Sequence, residues 1–155
     1  MRKAQSPVYS KVCKTEVVCP NDTNPMGILQ GGRLVQWMDI AAAVCAQTHA
    51  AKICVTASMD TVSFTQPAHV GDIITMEAKI TRAFTTSMEI KVTAWSRSVF
   101  KTRKSLISES YFTFVAIDQD GKVAAVNGVK PSSATEKSEY EAAAKRRNHK
   151  LNPHK

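Results

Sequence analysis

Aromatic residues make up only 6% of the chain and are not interleaved with its 21 basic residues, so the stacking platform of a nucleic-acid binder is missing. No stretch approaches the roughly 18 consecutive apolar residues that a membrane-crossing helix requires. The basic start, MRKAQSPVYSKVCK, leads into no apolar segment of the kind a secretion signal carries. The cysteines Cys13, Cys19, Cys45 and Cys54 have neither C-x-x-C spacing nor the density of a disulfide framework, which argues against zinc ribbons and secreted scaffolds. His49, His69, His149 and His154 stand at no metal-ligand spacing, and no metal is expected. A G-x-S-x-G elbow, a P-loop and a G-x-G-x-x-G turn are all absent. The expectation is a cytoplasmic protein with neither a nucleic-acid nor a membrane partner.

What is present suits one domain. At 155 residues and 17.0 kDa the chain can bury one sizeable core, and 43% hydrophobic with 22% charged residues is ordinary globular usage. The net charge of +8 is unevenly placed. Lys145, Arg146, Arg147, Lys150 and Lys155 crowd the C-terminal end with no acid among them, and Arg97, Lys101, Arg103 and Lys104 lie between two apolar stretches. The remainder is near balance, which points to a solvated tail or an anionic small-molecule ligand.

Residues 8–19 are β-branched and partly alternating, as a first strand would be. A turn-rich segment follows from Pro20 to Gly27, and then Gly31-Gly32 opens an alanine-rich run that predicts one helix over 32–50. Segments 53–65, 72–83, 87–100 and 106–118 read as strands, with Ile74, Met76, Ala78 and Ile80 sharing one face. A short strand at 123–129 and a C-terminal helix within SSATEKSEYEAAAKRRN complete the pattern. Strand, helix, then a run of antiparallel strands is an α+β layout. From Leu34 to Ala46 only Gln36 and Asp39 are polar, so the helix is expected to be enclosed by a curved sheet, with a second copy closing the open side.

Asp39 stands out because a carboxylate in such a helix is costly unless partnered. It is either a structural acid bonded to a nearby group or a general base or nucleophile at a pocket wall. Asn24, in a loop rich in proline and glycine, reads as an Asx-turn residue. Gly31 and Gly32 are a tight loop-to-helix turn or a bare helix N-terminus whose amides hold an anion or a developing oxyanion.

Taken together these residues resemble a family. Asp22-Thr23-Asn24 followed by Gly27, then Gly31-Gly32 and Asp39, is similar to the signature of hotdog-fold acyl-CoA thioesterases, in the branch of the cytosolic (brain-type) acyl-CoA hydrolases and their short bacterial relatives. VTASMDTVSF, QPAHVGD, TTSMEIKV and FTFVAID follow in the family's order, and the resemblance spans roughly residues 8–130. It implies a hotdog domain over 1–132 with a C-terminal helix and basic tail over 133–155. It also implies hydrolysis of acyl-CoA with Asp39 as general base or nucleophile and Asn24 supplied by the neighbouring subunit. The backbone amides of Gly31 and Gly32 would face the thioester oxygen, and Val55, Thr56, Arg82, Thr86, Ser87 and Met88 would line the CoA groove. CoA enters as part of the substrate, with no separate cofactor, and the assembly implied is a dimer of hotdogs grouped into a hexamer.

Two positions depart from the family pattern. Gln30 replaces an aromatic, and Phe84-Thr85 replaces a Gly-containing pair. The competing readings are a hotdog hydratase or dehydratase, for which the helix offers no His beside Asp39, and a non-catalytic CoA-binding regulator, which would dispense with Asn24 and Asp39.

Overall fold

The computed structural model describes residues 3–154. Met1, Arg2 and Lys155, the last residue of the expected basic tail, lie outside the described residues. The chain runs β1 (Val12–Val17), α1 (Gly31–Ala50), β2 (Ile53–Met59), β3 (Ile73–Ala83), β4 (Ser87–Arg97), β5 (Ser105–Ile117) and α2 (Ala134–Leu151). The five strands form one sheet in the order β1-β3-β4-β5-β2, every neighbouring pair antiparallel. Register shifts at Ile80/Arg82, Ala94/Trp95 and Thr56/Ser58 add local bends that curl the sheet around α1. This is the expected α+β hotdog: a long helix held in the hollow of an antiparallel sheet.

The period-2 face of β3 is the reason α1 sits where it does. Ile74, Met76, Ala78 and Ile80 are buried, as are Ile90, Val92 and Ala94 of β4 and Phe112 and Phe114 of β5. Against them α1 presents Leu34, Met38, Ala41, Ala42, Cys45 and Ala46. The small side chains on this stripe let the helix approach the sheet closely, and Met38 and the two phenylalanines fill what remains. Ala51, in the left-handed region at φ 52°, ends the helix one residue before the turn into β2.

Four sequence expectations need correction. The first strand begins at Val12 rather than residue 8, because Pro7 opens a 3-10 turn capped by Ser6. Segment 53–65 pairs as a strand only to Met59, and 123–129 contributes isolated bridges in place of a strand. Within the C-terminal basic segment, Arg146 and Arg147 are also not solvated charge. A capping box between Ser133 and Glu136 starts α2, which packs on the convex face of the sheet, opposite α1. Arg146 donates two hydrogen bonds to the buried Glu89, at 2.7 and 3.0 Å, and stacks 3.7 Å from the centroid of Tyr111. Arg147 lies over Phe84 and donates to Ser87 Oγ at 3.0 Å.

Candidate active site

Helix α1 is not wholly enclosed within one copy. Ile40 and Val44 remain 43% and 45% exposed. Beside them the free edge strand β2 shows Ile53, Val55 and Met59 to solvent. Asp39 lies at the border of this uncovered stripe, half-buried instead of locked in the core, so its charge keeps some contact with water. Thr56 Oγ1 donates to Asp39 Oδ1 at 2.8 Å. The register explains the meeting: Thr56 pairs with Phe114, and Phe114 with Met88, so this row of the sheet faces α1.

The Asn24 loop is built as an Asx turn. Asn24 Oδ1 accepts from the amides of Met26 and Ile28 at 2.9 and 3.2 Å, which leaves the side-chain NH2 as its outward-facing donor. Gly27, at φ +73°, supplies the left-handed residue that the turn requires. The loop is fastened by Asp22, which the sequence offered only as part of the family motif. Buried Asp22 accepts from Cys19 N at 2.9 Å and pairs with Arg33 Nε at 3.2 Å, tying the loop to the first turn of α1. Gln30, the departure from the family pattern, also serves as a tether, its Nε2 donating to Thr23 O at 2.8 Å.

Gly31 and Gly32 open α1, and the side chain of the cap residue Gln30 accepts from neither; Arg33 N and Leu34 N both donate to Gln30 O at 3.1 Å, which leaves the Gly31 and Gly32 amides without an intrahelical acceptor. The surroundings of Gly32 are open to 4 Å, whereas a Cβ on Gly31 would stand 3.0 Å from Cζ of Phe64. That ring roofs a cleft of about 320 Å³ lined by Ile28, Leu29, Gly31, Leu34, Pro67 and Ile107 among others. Phe64 is half-exposed, and segment 60–68 is held over the cleft by Thr65 N donating to Ile107 O at 3.0 Å.

The remaining expected groove residues divide. Val55 and Ser87 both pair with Val115, one row away from Thr56 and Met88, so alternation puts them on the convex side. Thr86 is half-buried at the start of that strand. Met88 does not line a groove within the protomer, because its parity turns it onto α1, where it is fully buried. Arg82 also points away from Asp39. The bulge after Ile80 sends it to the convex face, where it stacks 3.9 Å from the centroid of Tyr140 and donates to Tyr140 O at 3.1 Å.

Within one copy Asp39 and Asn24 do not meet. Asn24 is anchored at the first turn of α1, and Asp39 lies eight residues along it, roughly 12 Å further down the axis at 1.5 Å per residue. The uncovered stripe of α1 and the free β2 edge leave apolar surface open beside Asp39.

Residues 26–99 match the model of the thioesterase superfamily. An uncharacterized acyl-CoA thioester hydrolase of Bacillus subtilis is 36% identical over 92% of this chain and 83% of its own length. The mouse acetyl-coenzyme A thioesterase is 36% identical over 91% of the chain, which spans only 25% of that protein. Among solved structures, an asparagine-to-alanine variant of the acyl-CoA hydrolase of Staphylococcus aureus, bound to coenzyme A, has a TM-score of 0.93 at 37% identity over 99% of this chain and 92% of its own. An apo-hexameric acyl-CoA thioesterase has a TM-score of 0.91 at 36% identity, covering 98% of both chains. The Staphylococcus enzyme has also been solved with alanine in place of one aspartate and of one threonine. Those three positions have the same spacing along its chain as Asn24, Asp39 and Thr56 have here. The chain belongs to the hotdog thioesterase superfamily, among the acyl-CoA hydrolases.

Proposed function

We propose that this chain hydrolyses acyl-CoA to a free fatty acid and CoA, at a site formed where two copies meet. Asp39 is the reactive carboxylate, acting either as base toward water or as nucleophile on the thioester carbon. Asn24 of the neighbouring copy positions the reactants through its outward-facing NH2. The observation that carries this reading is the Asp39–Thr56 hydrogen bond of 2.8 Å on the uncovered side of α1, which aims a carboxylate at the space a second copy would close.

The chemistry fits the groups present. Attack on the thioester places negative charge on its oxygen, and the free amides at the start of α1 are donors suited to that charge. In the base route Asp39 takes a proton from the attacking water, the tetrahedral intermediate collapses, and the C–S bond breaks to release the CoA thiolate, which is then protonated. In the nucleophilic route an Asp39 oxygen displaces the thiolate to give a mixed anhydride, which water opens. Thr56 orients Asp39 in both. CoA is part of the substrate, so no cofactor is required. A ligand touching both the Asp39 side and the Val55–Ser87 row must pass over the β2 edge. The apolar cleft under Phe64 is the place for the acyl chain.

The assembly belongs to the same proposal: two copies cover each other's Ile40, Val44 and β2, and three such dimers make a hexamer. The test is turnover of a panel of acyl-CoAs with detection of the free thiol. Asp39→Ala abolishes most of kcat while leaving the melting temperature within a few degrees. Full kcat in that variant would remove Asp39 from the mechanism. Binding of CoA by the unaltered protein without turnover of any acyl-CoA would favour a regulatory CoA binder. Single turnover in ¹⁸O-water tests the nucleophilic route, since label in Asp39 requires an anhydride that water opened at the Asp39 carboxyl carbon.

A further inference from the structure

The charge cluster Arg97, Lys101, Arg103 and Lys104 takes no part in the site above. It occupies the connection between β4 and β5, and no acid occurs between Glu89 and Glu109. Among the described residues none of the four is ion-paired. Lys104 instead stands 3.9 Å from the ring centroid of Trp95, which props its ammonium group against the hairpin. The turn itself is tight: Lys101 N donates to Ser98 O at 3.1 Å, and Phe100 N to Ser98 Oγ at 3.3 Å. Its two central residues are Val99 and Phe100, at positions where polar residues or glycine are usual. They are 58% and 93% exposed, and Leu106 adds a third open apolar side chain at the same end.

We propose that this hairpin tip docks on a bilayer surface carrying anionic lipid headgroups, with Val99 and Phe100 dipping into the interface and the four bases facing the lipid charge. Charge complementarity favours this occupant. A ring and a branched aliphatic at the outermost point of a turn, flanked on both sides by unpaired bases, combine the two forces that hold a protein to such a surface. A nucleic acid would want a row of rings to stack on, and the tip has one. Among the described residues no helix is long and apolar enough to cross a membrane, and the sequence led to an expectation of no membrane partner, but a surface contact needs no span.

The position gives the contact a use. Thr65 Oγ1 donates to Leu106 O at 2.9 Å, so the segment that carries Phe64 is fastened to the base of the same hairpin. A tip held at a lipid surface therefore keeps the mouth of the apolar cleft near the surface into which long acyl chains partition.

The test is flotation of the full protein with vesicles of phosphatidylcholine alone and with phosphatidylglycerol added. Binding to the anionic vesicles only, weakening as salt rises, is the expected result. Lys101→Ser with Arg103→Ser should lower that affinity about 25-fold, at roughly fivefold per base, and Phe100→Ser about tenfold. All variants should keep the assembled mass and the rate on a short, water-soluble acyl-CoA. Vesicle binding requires no turnover, so it succeeds or fails independently of the proposed hydrolysis. Equal binding to neutral vesicles, no binding, unchanged affinity in the variants, or preference for a single-stranded oligonucleotide would each overturn the proposal. A lower assembled mass for Phe100→Ser would overturn it too, by making the tip a contact between copies.

Discussion

Thr56→Val separates two roles that the position can play. The substitution keeps the branched shape and removes the donor that meets Asp39 Oδ1 at 2.8 Å. A hydrogen bond to a charged group is worth about 1.5–3 kcal/mol, and the exposure of Thr56 on the edge strand puts this one at the lower end. At about 1.4 kcal/mol per factor of ten, kcat should fall about tenfold, with KM changed less than twofold. The melting temperature should move by no more than a few degrees, since no buried contact is lost. Steady-state kinetics on one acyl-CoA, beside a thermal melt, read all three. A KM that rises with kcat intact would make Thr56 a CoA contact instead, and unchanged kinetics would refute any role in orienting Asp39.

Other perturbations probe the rest of the structure. Phe64→Ala opens the roof of the cleft and should shift the kcat/KM optimum toward longer acyl chains; an unaltered chain-length profile would place the acyl chain elsewhere. Arg146→Met strands the Glu89 carboxylate against the sheet and should cost about 3 kcal/mol in urea unfolding, while Arg146→Met with Glu89→Leu recovers most of it. Burial alone would raise the pKa of Glu136, but hydrogen bonds from Lys79, Ser132 and Ser133 outweigh it and hold the group at about 2. A depressed acid stabilises above its unfolded value. That stabilisation is therefore present at neutral pH and lost as pH falls from about 4.5 toward 2, a slope that Glu136→Gln should flatten.

Most of the architecture was legible because its signals are local. Alanine-rich content and the Gly31-Gly32 start marked α1 to within one residue, and the alternation of Ile74, Met76, Ala78 and Ile80 marked both β3 and its buried face. The signals failed where a partner distant in sequence decides. Residues 60–65 carry strand composition but run over the helix start as the strap that places Phe64 on Gly31. Arg146 and Arg147 look like solvated charge until Glu89, Ser87 and two rings are found beneath them. The candidate site divides in the same way. Asp39 was visible as an acid among apolar neighbours and Asn24 as a loop amide. The attachment of Thr56 to Asp39 depends on the pairing of β2 with β5, which no spacing along the chain displays. The sides on which Arg82 and Met88 lie were hidden for a related reason, since a bulge and one step of parity decide which side of the sheet a residue serves.

The most direct measurement is subunit complementation between Asp39→Ala and Asn24→Ala. Each variant alone should be nearly inactive. If a site draws its aspartate from one copy and its amide from the other, each mixed dimer has one intact site, and equal mixing after exchange should restore about a quarter of the unaltered activity. Mixed dimers verified by mass that remain as inactive as their parents would contradict a site shared between copies.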